Sequence, residues 1–202
     1  VLPGYFVYIA AVVGILGITG YVRDTLSGKT FPHRITWFLW GFIPLVTFFV
    51  QIHVGVGIQT IMTFSYFIAP MIVVTASFVA RRGSWAITPF DWACGAMCLV
   101  GIAVYLVTLR GNLAIGVLLL ADVFAAVPTI RKSYGAPESE TWTAYLVGAL
   151  TSVITLLTIT HWTFATYALP AWIAFQNSME IVLIRGRLGP RLRARSAAAI
   201  EA

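Results

Sequence analysis

Charge is what this chain has least of. Seven of its 202 residues are acidic and 13 are lysine or arginine, so charged side chains make up 10% of the chain and hydrophobic ones 59%. Water-soluble domains carry about a quarter charged residues, and a surface built for water is therefore excluded. Lysine is scarcer still. Lys29 and Lys132 are the only two and both sit in polar turns, so no apolar run offers an amine at mid-depth for a retinal Schiff base. Cysteine is limited to Cys94 and Cys98, which share one helical face; with no second pair and no histidine nearby they make neither a zinc site nor a disulfide framework. No histidine cluster, Ser-His-Asp set or metal-ligand spacing occurs, which argues against an enzyme and leaves no metal or cofactor implied.

What is present is long apolar sequence. Runs of about 20 apolar residues, the length that crosses a hydrocarbon core of roughly 30 Å, fall near 4–22, 35–52, 58–80, 89–109, 112–130, 141–161 and 165–184. The chain reads as an all-α membrane protein with seven transmembrane helices. With that count, Arg23, Lys29, Arg34, Arg81, Arg82, Arg131, Lys132, Arg185, Arg187, Arg191, Arg193 and Arg195 lie on one side and Arg110 alone on the other. Basic residues in short loops mark the cytoplasmic face, so the N-terminus is expected outside and the C-terminus inside, in a bacterial inner membrane. The net charge of +6 is then a matter of topology and attraction to anionic lipid, with no nucleic-acid partner. No cleavable signal is visible.

Short features along the chain have bland readings first. Gly14, Gly17 and Gly20 form a small-residue stripe suited to close helix packing. Trp37 and Trp40, one turn apart, read as interfacial anchors, and Trp37 is also a candidate wall residue of a solute site. His53 reads as a solvated residue and Asp91 as a first-turn acid favoured by the helix dipole. The hydroxyls Thr151, Ser152, Thr155, Thr158 and Thr160 suit bonds to their own helix or a neighbour. The arginine-rich stretch after Ile184 reads as a stop-transfer and lipid-binding tail.

The chain also echoes itself. Pro32-His33-Arg34-Ile35-Thr36-Trp37 returns 105 positions later as Pro137-Glu138-Ser139-Glu140-Thr141-Trp142, sharing Pro-x-x-x-Thr-Trp. Thr63-Phe64 to Pro70 returns 100 positions later as Thr163-Phe164 to Pro170, and Gly20-Tyr21-Val22-Arg23 aligns with Pro128-Thr129-Ile130-Arg131 at an offset of 108. Spans one to three thus match spans five to seven in order. Because a fourth span separates them, the copies enter the membrane from the same side as parallel repeats. The expected organisation is a first three-helix repeat over 1–88, a linker helix over 89–110, a second repeat over 111–185 and a basic tail over 186–202.

This 3+1+3 plan, with a proline-bearing motif closing spans one and five, resembles the PQ-loop superfamily. That group includes the SWEET sugar facilitators, lysosomal amino-acid exporters and the KDEL receptors. Here the second motif reads Pro128-Thr129 in place of Pro-Gln, and the first reads Gly20-Tyr21. The resemblance implies an alternating-access carrier. In the sugar facilitators an asparagine pair on spans three and seven lines the substrate site; Asn177 falls in the matching region and Ser77 stands as its counterpart.

Asp122 and Asn177 carry the functional expectation. At 1.5 Å per residue Asp122 lies roughly 15 Å deep and Asn177 roughly 18–20 Å deep, both near the midplane. A carboxylate there costs on the order of 3 kcal/mol and is tolerated where it faces a cavity or a partner. Asp122 is expected to bind solute or carry a coupling proton, with Asn177 beside it; the competing reading is a protonated structural acid. Glu180 is expected to pair with tail arginines or interfacial water. Pro128 and Pro137 are expected to form a cytoplasmic gate, against the simpler reading that Pro137 only starts span six. The sequence therefore suggests a carrier of a small polar solute such as a sugar, amino acid or vitamin-like compound. A receptor on the same fold is the alternative, using the Arg131 to Glu140 turn as its contact surface. Membrane lipids are implied partners, and homo-oligomerisation stays open.

Overall fold

A computed structural model describes residues 1–81 and 88–192. Among the described residues the regular structure is entirely helical: α1 Phe6–Gly17, α2 Thr19–Ser27, α3 Arg34–His53, α4 Thr60–Val79, α5 Pro89–Thr108, α6 Gly111–Gly135, α7 Trp142–Leu157 and α8 Phe164–Gly186, with 3-10 turns at Gly57–Gln59 and Pro137–Ser139. Four stretches are long and apolar enough to cross a membrane, namely Phe6–Ser27, Arg34–His53, Gly57–Val79 and Gly111–Gly135. Gly95–Thr108 and Trp142–Leu157 are shorter apolar helices, and α8 is long but interrupted by Gln176, Asn177 and Glu180. Helices suit such a chain because each satisfies its own backbone polar groups where no water is at hand. Large apolar side chains such as Val12, Leu16, Phe49, Val79, Leu106, Leu150 and Phe175 remain exposed on the outside, as lipid contact requires.

The helix ends have local causes. α2 stops at Gly28, whose φ of 76° is a left-handed conformation that glycine adopts without Cβ strain. The first helical run therefore continues through Arg23 to Ser27, past the expected end at 22. α3 starts after His33, whose ring accepts the Thr36 backbone N–H. α8 starts at a capping box formed by Thr163 and Thr166. α6 runs on to Gly135, five residues beyond the expected 130, because Lys132 finds an acid partner inside the protein. The side chains of Asp91 and Cys94, and the basic residues Arg82, Arg193 and Arg195, lie outside the described residues.

Packing arranges six of these elements in two triplets. α4 packs against both α1 and α3, and α8 packs against both α6 and α7. Between triplets α1 packs against α7 and α3 against α6, while α5 lies on α6 and the edge of α3. One end gathers the connections at 54–59, 110–113 and 159–166. The opposite, basic end gathers Asp24, Thr30, Phe31, Lys132, Glu140 and Thr141.

The glycine stripe faces α7. A methyl group at Gly17 would stand 2.7 Å from Val147 Cβ, one at Gly20 3.5 Å from Thr143 Oγ1 and one at Gly14 3.7 Å from Thr151 Oγ1. Successive glycines thus meet successive turns of an antiparallel neighbour, and the backbones approach because nothing larger intervenes. The α7 hydroxyls behave as their spacing suggested, with Thr151 donating to Val147 O at 2.9 Å and Thr155 to Thr151 O at 2.8 Å. Gly17→Ala is expected to cost about 1–3 kcal/mol through overpacking, read as a lower unfolding midpoint in detergent. Val147→Ala in the same chain should recover most of that loss, and an unshifted midpoint in Gly17→Ala would contradict the close α1–α7 approach.

Candidate functional site

A cavity of about 110 Å3 lies at the seam between the two triplets. That volume accepts several waters or part of a small solute. Its wall draws Gly14 and Ile18 from α1, Trp37, Trp40 and Pro44 from α3, Tyr66 and Pro70 from α4, Asp122 from α6, Tyr145 and Gly148 from α7, and Gln176 and Asn177 from α8. Two of the wall residues are prolines inside helices. A proline offers no N–H, so the carbonyls four residues earlier, of Trp40 and Tyr66, lose their intrahelical donors beside the cavity.

Asp122 is 3% exposed, and its Oδ2 accepts the Trp172 indole N–H at 2.7 Å. Asn177 donates to its own helix at Ile173 O, 2.8 Å away. A Cβ at residue 148 would come within 3.0 Å of that amide, so Gly148 is what lets α7 pass. Trp37 and Trp40 are buried with rings 5.4 Å apart; the Trp40 indole N–H has no hydrogen-bond partner, and that of Trp37 is directed at the Tyr21 hydroxyl. The wall thus offers one acid, the unbonded Trp40 indole and two amides, with no basic side chain. It suits a solute with an acceptor for the indole and a hydroxyl or amine for Asp122, and it disfavours an anion.

Of the expected site residues, Asp122, Asn177 and Trp37 meet in this wall. Trp37 and Trp40 are interior residues here and not interfacial anchors, because α3 turns that face toward the other helices. Ser77 stands elsewhere. It accepts from Arg34 Nε at 3.0 Å, its carbonyl accepts from Arg34 Nη2 at 2.7 Å, and the residue ties α4 to the start of α3 at the basic end. Pro128 lies within α6, and Pro137 is buried at the start of the 3-10 turn between α6 and α7.

The basic end holds a polar cluster that sequence reasoning missed. Glu140, 7% exposed, accepts from Tyr21 Oη at 2.9 Å, Tyr145 Oη at 3.0 Å and Lys132 Nζ at 2.7 Å. Lys132 also donates to the Phe31 carbonyl, and Thr141 donates to Asp24 at 2.8 Å. The Arg131 to Glu140 turn, expected as a polar loop, is therefore drawn inward at its acid end. The available signal was position: Glu140 occupies the place where the first copy has Ile35. Glu180 differs from expectation too. It is fully buried and neither carboxyl oxygen is bonded, while Arg185 stacks over the Trp142 ring at 4.7 Å.

Compared with protein-family models, curated proteins and solved structures, the chain finds no match in any of the three. The chemistry of its own residues carries the functional reading. Tyr21→Phe, which removes one of three donors to a buried carboxylate, is expected to cost about 1.5–3 kcal/mol. Unfolding in detergent checks it, and a midpoint equal to the parent's would show that the Tyr21–Glu140 bond contributes nothing.

Proposed function

We propose that this protein is a seven-helix membrane carrier that moves a small polar solute by alternating access. Sugars, amino acids and vitamin-like compounds are the solute classes in view. The observation that carries the reading is a largely apolar cavity holding a buried acid, two amides and the unbonded Trp40 indole, at the seam between two similarly packed helix triplets. Each triplet has its third helix between the first and second, and the contacts between triplets, α1 with α7 and α3 with α6, exchange under a twofold axis. That pattern supports two parallel repeats, with α5 as the linker, and a shared central site is where such a carrier binds its load. Six of the seven expected spans correspond to the two triplets, α1 and α2 counting as one.

The orientation in this reading places the basic end in the cytoplasm of a bacterial cell. Asp122 and Asn177 contact the solute, with Trp37 and Trp40 beside them. Pro128 and Pro137 flank the stretch of α6 that holds Lys132, with Glu140 three residues beyond Pro137, and they let that stretch bend as the cytoplasmic end opens. The receptor reading relied on an outward-facing Arg131 to Glu140 turn; with Glu140 buried, no observation favours it.

The test is uptake into proteoliposomes, screened across sugars, amino acids, vitamins and nucleosides. Saturable uptake of one class is expected, falling about tenfold or more in Asp122→Asn as a charged hydrogen bond is lost. Binding without uptake in every class would overturn the carrier reading. Pro128→Ala is expected to slow uptake while leaving solute binding intact, and an unchanged rate would remove Pro128 from the gate. A C-terminal reporter is expected to be active only in the cytoplasm, and activity outside would reverse the topology.

A further inference from the structure

Glu180 has no place in the solute site, yet it is the most completely enclosed acid in the described chain. It lies on α8 one turn beyond Gln176 of the cavity wall, with no exposure and no hydrogen bond to either oxygen. An ionised carboxylate in that position loses its hydration and regains little of it from its neighbours. The hydroxyl facing it from α6 is Ser133, which is also buried and unbonded. The Ser133 hydroxyl meets one carboxyl oxygen by donating to it; a proton on the other oxygen removes the charge that the enclosure leaves without hydration.

The other groups around Glu180 give that proton a consequence. Glu140 from the connection before α7 and Lys132 from α6 act on it electrostatically, as it does on Tyr21 of α2 and Tyr145 of α7. Arg185, on its own helix, is engaged with Trp142. The Lys132 charge is taken by Glu140 at 2.7 Å, and both tyrosine hydroxyls donate to Glu140. Apart from the Ser133 hydroxyl no donor among the described residues is left for Glu180, and the one nearby positive charge is already engaged by Glu140. Ionising it would set a second negative charge beside Glu140, with one lysine between them.

We propose that Glu180 is a proton-binding site, and that its proton holds the basic end of the bundle closed. Glu140 joins Tyr21 and, through Lys132, the Phe31 carbonyl of the first triplet to Lys132 and Tyr145 of the second. With Glu180 neutral this latch is stable. When the proton leaves, repulsion between the two carboxylates and competition for Lys132 loosen the latch, and the basic end opens. Use of this switch in transport rests on the carrier reading; the protonation and the closure do not.

The experiment uses the full chain in liposomes and needs no solute. Infrared difference spectra across a pH titration are expected to show a protonated-carboxyl band at neutral pH. It should be lost in Glu180→Gln, retained in Asp122→Asn, moved in frequency in Ser133→Ala and weakened in Glu140→Gln, where Lys132 is free to pair with the carboxylate. Closure is read by maleimide labelling of Ala144→Cys, a cavity-wall position, in a chain with Cys94→Ala and Cys98→Ala. Labelling from the basic side should accelerate as pH rises, and in Glu180→Gln it should stay slow throughout. Absence of a protonated-carboxyl band in the native chain, or the same band in Glu180→Gln, overturns the proton site. Labelling whose pH dependence survives Glu180→Gln overturns the latch. A negative uptake screen alongside the expected spectra would defeat the carrier reading and leave the proton site standing.

Discussion

The carboxylate of Glu140 is the junction on which the basic end depends. Burying an acid and a lysine together removes both from water, and the mutual attraction repays that loss only when the remaining lone pairs are also met. Here they are met by two tyrosine hydroxyls from different helices, at 2.9 and 3.0 Å. The price of enclosing the pair is thus shared among α2, α6 and α7, and none of these can move alone without leaving a buried charge short of a donor. Lys132 extends the tie to the Phe31 carbonyl, and Thr141 adds a bond to Asp24. The opposite end, around a wider recess of about 670 Å3 between the connections at 54–59, 110–113 and 159–166, is braced by amide bonds from Gln51 to the Ala165 carbonyl at 2.8 Å and from Gln59 to the Thr158 carbonyl at 3.3 Å. The two ends differ in kind: one is tied through a buried charged pair, the other through neutral amides around open space.

Between them, the cavity shows how polar chemistry is kept inside an apolar bundle. Asp122 is oriented by a neutral donor, the Trp172 indole, which lies on the same helix as Gln176 and Asn177. A neutral donor fixes the carboxyl without neutralising it, and so leaves its second oxygen for a ligand. Basic residues near the site would have closed that option by pairing with it. Helix prolines at 44 and 70 add unpaired carbonyls to the wall, which explains why a bundle that otherwise satisfies its backbone within helices has acceptors here.

Much of the architecture was legible because lipid enforces a simple pattern. Apolar runs of helix length marked the helices to within a few residues, and the glycine stripe found the α7 face it was suited to. Hydroxyls spaced along 151–158 bonded to their own helix. What could not be read was which polar residues turn inward. Trp37 looked interfacial because it sits near a helix start, and only the crossing of α3 with its neighbours buries it. Ser77 matched Asn177 by offset, but alignment fixes depth along a helix and not which partner is nearest, and Arg34 claims it. Glu140 and Glu180 looked like boundary charges for the same reason. Their burial depends on α2, α6, α7 and α8 closing around them, and no local pattern encodes that.

The two buried acids without a salt-bridge partner, Asp122 and Glu180, then separate by environment and not by depth. Asp122 faces space and has a donor at 2.7 Å, so a ligand can complete its coordination while it stays in place. Glu180 faces packed side chains with the Ser133 hydroxyl as its one donor, so no solute reaches it and a proton is what neutralises it where it stands. A chain with only seven acids keeps three of them inside, each with a distinct way of avoiding an unpaired charge, and for Glu140 that way is Lys132. For Asp122 that way is an oriented indole and an open cavity. For Glu180 it is neutrality, which lasts only while the Glu140 junction keeps water out, so the stability of the closed end and the protonation of Glu180 are two descriptions of one equilibrium.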